Sequence, residues 1–177
     1  LPLIDPEHAN EYSVGLLDAL AQVARCQHPW HALASIDSAL HAGLLTQAEL
    51  REAFSRLPLR CRDLVELADG RAEAGQETVL RMIARSAGLQ FELQVQIAEL
   101  GRVDLLIEGC LVVEADSRLA HDGWDLHVRD RWRDLIAARH GYMSLRPAYQ
   151  HTMWTPNLVR DAIVHLLDAN RHFRRCV

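Results

Sequence analysis

The chain has 177 residues, 49% hydrophobic and 24% charged, the balance of an ordinary globular domain with or without a helical extension. A formal charge of −5 excludes a broadly basic surface of the kind that coats nucleic acid. No run approaches the roughly 20 apolar residues of a membrane span, and no charged-then-apolar signal segment opens the chain, so a cytoplasmic protein without a membrane partner is expected. Taken in order, residues 13–25 and 30–41 read as amphipathic helices. Leu16, Leu17, Leu20, Val23 and Ala24 line one face of the first, and the second runs into Gly43 as a stop. Thr46 followed by Glu49 has the capping-box spacing and starts a third helix that ends before Pro58, with a fourth expected over 62–73. The histidines of this half, His8, His28, His31 and His41, lack metal-ligand spacing and read as ordinary surface or core residues.

The pattern changes near Gly75, which sets a helical region over 1–74 against an α/β domain over 75–177. Residues 76–87 are helical with Gly88 as a stop, and Phe91 to Ile97 alternate with period two, as a half-buried strand does. Strands follow at 103–107 and 111–115, separated by a turn containing Gly109. A helix is expected over 123–139 with Trp124, Val128, Trp132, Leu135 and Ile136 on roughly one face. Gly141 ends it, a short strand covers 142–145, and a last helix covers 156–169 with Pro156 in its first turn. Helix, three strands, helix, strand, helix is an α/β layer on a mixed sheet.

Two features of composition bear on chemistry. Residues 1–75 carry eleven acids against six arginines, whereas 76–177 carry thirteen of each, so a local basic patch has room only in the second part. All nineteen basic residues are arginines, which a GC-biased genome explains; any task usually given to lysine falls to another group. The four cysteines (Cys26, Cys61, Cys110, Cys176) are scattered, as reduced cytosolic thiols are. The chain opens on Leu1 rather than Met, as expected of a trimmed chain or a fragment.

Strand alternation assembles the candidate site. Leu111, Val113 and Ala115 share one face, which leaves Glu114 and Asp116 on the other with Val112. On the preceding strand Asp104 and Leu106 lie opposite Val103, Leu105 and Ile107. A three-residue turn of Glu108, Gly109 and Cys110 sets Asp104 directly across from Glu114, whereas a two-residue turn mixes polar and apolar residues on both faces. Two carboxylates side by side at the edge of a core repel unless a cation lies between them. Hard oxygen donors point to Mg²⁺ or Mn²⁺ rather than zinc.

Glu77, Asp104 in Arg102-Val103-Asp104, Glu114-x-Asp116, His121, Arg129 to Asp134, Gly141-Tyr142 and Leu145-Arg146 occur in one order. In that order residues 75–150 resemble the small bacterial endonuclease-domain proteins related to the very-short-patch-repair (Vsr) endonucleases of the PD-(D/E)XK superfamily. Residues 33–73 resemble the helical region preceding this domain in many of them. In some, a still earlier segment resembles the DNA-binding part of type IV abortive-infection antitoxins, and these residues hold no counterpart of it. The resemblance implies a restriction-endonuclease-like mixed sheet flanked by helices, and a metal-dependent DNA endonuclease, a nickase of mismatched or distorted DNA among the expectations.

By the same resemblance Asp104 and Glu114 ligate the metal and Glu77 completes its shell, directly or through water. Asp116 stands where the superfamily has its lysine, as is usual in this branch, and Ser117 replaces the glycine that normally follows. Water activation then falls to the metal, to Asp116 or to His121. Arg118, Arg131 and Arg133 are candidate phosphate contacts. Each has a plainer reading beside it. Glu77 also suits a solvated first turn, His121 an exposed helix start, and Arg131 and Arg133 helix-face pairing with neighbouring acids. Trp124 and Trp132 read as core rather than base-stacking wedges. The competing expectation is a non-catalytic DNA-binding or antitoxin-like protein that keeps the fold and uses the acids structurally.

Overall fold

Helices in the first half begin where the sequence supplies a starting residue. Pro29 opens α2 (Pro29–His41), after α1 (Leu16–Cys26), and Thr46 caps α3 (Gln47–Phe54). The capping box is complete: Thr46 Oγ1 accepts from the Glu49 N–H at 3.2 Å, and Glu49 Oε2 accepts from the Thr46 N–H at 2.7 Å. The fourth helix, α4, spans Leu59–Leu67 rather than 62–73. Pro58, with φ fixed near the helical value at −53°, pre-sets its start, and extended Ala68 stops it.

The computed structural model describes residues 3–116 and 124–175, which form two compact units, Leu1–Thr78 and Val79–Val177. The unit boundary falls within α5 (Gly75–Ser86), the helix with which the α/β half of the sequence begins. In the first unit Leu33, Ile36, Leu50 and Phe54 are fully buried. So is Asp37, whose carboxylate accepts from the Asp69 N–H and from the Thr78 hydroxyl, both at 2.8 Å. A buried charge of this kind persists because its lone pairs are met.

In the second unit β1 (Phe91–Ile97), β2 (Gly101–Ile107), β3 (Leu111–Val113) and β4 (Met143–Leu145) form one mixed sheet in the order β1-β2-β3-β4. The first two pairings are antiparallel and β3–β4 is parallel. The α/β class with a mixed sheet is thus observed. Ile107 pairs with Leu111, which makes Glu108, Gly109 and Cys110 the three-residue turn of the expected register. Glu108 and Gly109 both take positive φ, 50° and 63°, and the Cys110 N–H closes the turn on the Ile107 carbonyl. Glycine adopts that conformation without a Cβ clash, and Glu108 is held in it because its carboxylate accepts from the Gln90 N–H and its own N–H donates to the Gln90 carbonyl.

One irregularity was invisible in the alternation. Gln94, midway along β1, has φ +53°, yet the register is the same on both sides of it.

β3 is buried on both faces. Leu106 and Val112 pack with Ile136 and Ala137 of α6 (Trp124–Arg139). Beyond β4 a short helix absent from the sequence expectation, α7 (Tyr149–Trp154), precedes α8 (Pro156–Arg175). Val159, Ile163 and Leu167, at the spacing of one helix face, are buried in α8. No helix among the described residues is long and apolar enough to cross a membrane. Cys26, Cys61 and Cys110 are free thiols.

The reading of α6 needs correction. Trp132 is 63% exposed and Leu135 64%, and Val128 is exposed too, whereas Ile136 and Ala137 are buried. The inward side of this helix carries Arg133 toward Glu114, just past β3, and Asp130 and Asp134 toward Arg146, just past β4. Polar residues therefore share the inward side with Ile136 and Ala137, and Val128, Trp132 and Leu135 face out, so hydrophobic periodicity places Ile136 correctly and these three not. The side chain of Trp124 lies outside the described residues.

Candidate functional site

Asp104 and Glu114 line one cavity of about 560 Å³ in the second unit. The β2–β3 register, with Leu105 opposite Val113, brings position 104 level with position 114. Asp104 turns its Oδ2 to the Ala115 N–H at 2.9 Å, so its carboxylate sits against the chain that carries Glu114. Asp116 follows two residues along and shares the cavity wall.

Pairing with the far side of β3 fixes the rest of this wall. Leu145 lies beside Val113 in parallel register, and its carbonyl accepts from the Glu114 N–H at 3.1 Å. The ladder continues past β4: the Asp116 N–H donates to the Pro147 carbonyl, and Asp116 bridges to Ala148. The next residue after Leu145 is Arg146, which this register places alongside Glu114. It ion-pairs with Glu114 Oε2. Its Nη1 lies 3.5 Å from Asp130 Oδ1 and its Nε 3.1 Å from Asp134 Oδ1. The Nε contact is an ion pair only, with no hydrogen bond of good geometry.

The other oxygen of Glu114 is engaged from α6. Arg133 Nη2 donates to Glu114 Oε1 and, at 2.9 Å, to the Arg102 carbonyl; its Nη1 donates to the Leu100 carbonyl at 2.7 Å. Gly101 makes space for that guanidinium: its φ is +88°, and a Cβ there would stand 3.3 Å from Arg133 Nη1. Arg131 pairs with Asp134 Oδ2 at 3.0 Å, one turn along the same helix, and is 59% exposed. The helix-face pairing read for Arg131 is present, and Arg133 pairs across to the sheet.

The cavity wall holds four arginines (Arg102, Arg131, Arg133, Arg146) and four acids (Asp104, Glu114, Asp116, Asp130), with Ala115 between them. It is formally neutral. The repulsion that two adjacent carboxylates would suffer is relieved in part by the protein's own guanidinium groups.

Glu77 lies on the stretch of α5 within the first unit; it is 6% exposed, and its Oε2 accepts from the Glu73 N–H at 3.0 Å. It is not a solvated first-turn residue. Arg118 and His121, with Ser117, lie outside the described residues. Among the described residues no three His, Cys, Asp or Glu side chains are arranged to hold a metal ion. In donor type the cavity still suits a hard cation. Mg²⁺ commonly takes one or two carboxylates and fills its remaining positions with water and phosphate oxygens, and Asp104 and Glu114 are such a pair.

Sequence reasoning gave no role to Arg146 or Asp130. The signal for Arg146 was its position one residue beyond an apolar strand, on the face that Glu114 takes in a parallel neighbour. No family model, curated protein or solved structure matches this chain.

Proposed function

We propose that the second unit has a restriction-endonuclease-like, PD-(D/E)XK fold and is a Mg²⁺- or Mn²⁺-dependent DNA endonuclease related to the very-short-patch-repair enzymes, acting on mismatched or otherwise distorted DNA. The observation that carries this reading is the convergence of Asp104, Glu114 and Asp116 on one cavity that also holds four arginines. Carboxylates and guanidinium groups in one concavity are what a phosphodiester and its metal need together. Asp104 and Glu114 would hold the ion, which when bound polarises the phosphate and lowers the pKa of a coordinated water. Arg131, the most exposed of the ion-paired cavity arginines, meets the phosphate backbone first. Asp116, in the lysine position of the superfamily, and His121 are the groups assigned to moving the proton; Glu77 and Arg118 keep their supporting assignments from the resemblance.

Supercoiled plasmid and mismatched duplexes incubated with the protein and Mn²⁺ test this directly. The wild type should nick them, and Asp104→Ala should slow cleavage by at least about 100-fold, as losing a metal ligand does. Equal cleavage by both proteins would assign the activity to a contaminant.

One observation favours a second reading, a non-catalytic DNA-binding or antitoxin-like protein: both oxygens of Glu114 are already satisfied by Arg133 and Arg146. Calorimetry with Mn²⁺ separates the two. No binding, or binding unaffected by Glu114→Ala, selects the second.

A further inference from the structure

Glu114 is shielded, 15% exposed, and it is gripped from two directions. Arg146 comes from the strand beside it and reaches Glu114, Asp130 and Asp134 with one guanidinium. Arg133 comes from α6 and is itself fixed by two backbone carbonyls. These are not equivalent. Arg133 has two acceptors besides Glu114 that are part of the fold, and it stays where it is if Glu114 turns away. Arg146 pairs with carboxylates at or beside the cavity, so its position depends on the charge those carboxylates retain.

We infer that Arg146 is an internal counter-ion that occupies the cation's place at Glu114 and leaves it only when a metal ion and a phosphodiester enter together. This rests on the metal-dependent reading of the same cavity and concerns how that site is regulated. A divalent cation entering alone must displace the guanidinium from Glu114 onto Asp130 and Asp134, adding positive charge that no entering anion offsets. A phosphodiester entering alone must draw Arg146 from three carboxylates, leaving Glu114 to Arg133 and Asp134 to Arg131 while adding negative charge. When both enter, the cation takes Glu114 and the phosphate takes Arg146, and the added charges offset one another. The neutral wall of four arginines and four acids is balanced for that exchange. Metal and nucleic acid then bind with positive coupling, by the same factor whichever is added first.

Arg146 is a positioning residue in this scheme, and the test reads binding rather than turnover. Mn²⁺ affinity is measured by calorimetry for wild type, Arg146→Gln and Glu114→Gln, with and without a phosphorothioate oligonucleotide that keeps the charge and resists hydrolysis. Titration of Mn²⁺ into the oligonucleotide alone is subtracted. Arg146→Gln should bind Mn²⁺ at least about tenfold more tightly than wild type without oligonucleotide, within the usual range of coupling between sites. The oligonucleotide should tighten Mn²⁺ binding to wild type by a similar factor and to Arg146→Gln much less. Should Arg146→Gln be poorly folded, the wild-type pair of titrations still decides, because equal Mn²⁺ affinity with and without oligonucleotide overturns the inference. If Mn²⁺ binds wild type, is lost in Glu114→Gln and is unchanged or weaker in Arg146→Gln, the counter-ion role fails while the metal-dependent reading stands. If Mn²⁺ binds none of the proteins under either condition, both fall.

Discussion

Gly101 and Gly109 share a backbone conformation but differ in what surrounds them, and the difference isolates the grip on Glu114. Their φ values are +88° and +63°, so alanine at either stores strain of about 1–2 kcal/mol. A Cβ on Gly109 meets nothing within 4 Å, whereas one on Gly101 meets Arg133 Nη1 at 3.3 Å. Urea denaturation should therefore find both alanine variants destabilised by similar amounts. Only Gly101→Ala should also change Mn²⁺ affinity, because only there must Arg133 shift. Equal Mn²⁺ affinity in the two variants would show that Arg133 has slack. At Glu49 the capping bonds from Thr46 hold the carboxyl below its usual range. The charged form is the one the folded cap prefers, so its contribution is present above about pH 4.5 and is lost as pH falls through the lower folded value. Wild type and Glu49→Gln should accordingly converge in stability on acidification through that window. A gap that stays constant down to pH 2 would remove the cap from the account.

At the scale of elements, what could be read from the sequence was what depends on near neighbours. The capping box at Thr46, the period-two run of β1 and the three-residue turn before β3 are local patterns, and all three are present. The elements misjudged depend on partners remote in sequence. Alternation along Phe91–Ile97 cannot disclose that Gln94 sits at φ +53°. Helix α6 shows the limit best, because its inward side must match Glu114 just past β3 and Arg146 just past β4 as well as the core, so part of its apolar set is left to solvent. Trp132, 63% exposed, should then tolerate replacement by Gln with a change within about 0.5 kcal/mol, whereas a core tryptophan would lose about 3 kcal/mol or more. Asp37 is the opposite case, a charged residue in an amphipathic helix that turns out fully buried. Asp37→Ala strips acceptors from the Asp69 N–H and the Thr78 hydroxyl, and the expected loss is about 3 kcal/mol, seen as a lower urea midpoint at unchanged slope. Loss below 1 kcal/mol would mean that water replaces the carboxylate there.

For the whole molecule, net charge and site charge make a joint prediction about nucleic acid. At −5 overall the chain does not attract DNA diffusely, so the DNA binding proposed above would rest on few, local phosphate contacts. Composition already limited a basic patch to the second half, but not its size, because arginines committed to carboxylates cannot be told from free ones without the register of β3 against β4. Among the described residues the cavity offers four arginines, and Arg131, Arg133 and Arg146 are in ion pairs that a phosphate must compete with. Each neutralised phosphate contributes about −0.9 to the slope of log K against log salt on duplex DNA, so contacts from these four give a slope near −4. Anisotropy titrations with a mismatched duplex between about 50 and 200 mM NaCl should give a slope between about −2 and −4, shallower than that of broadly basic DNA-binding surfaces. A slope much steeper than −4 would require phosphate contacts well beyond this cavity, and the cluster around Glu114 would then no longer account for where the DNA lies.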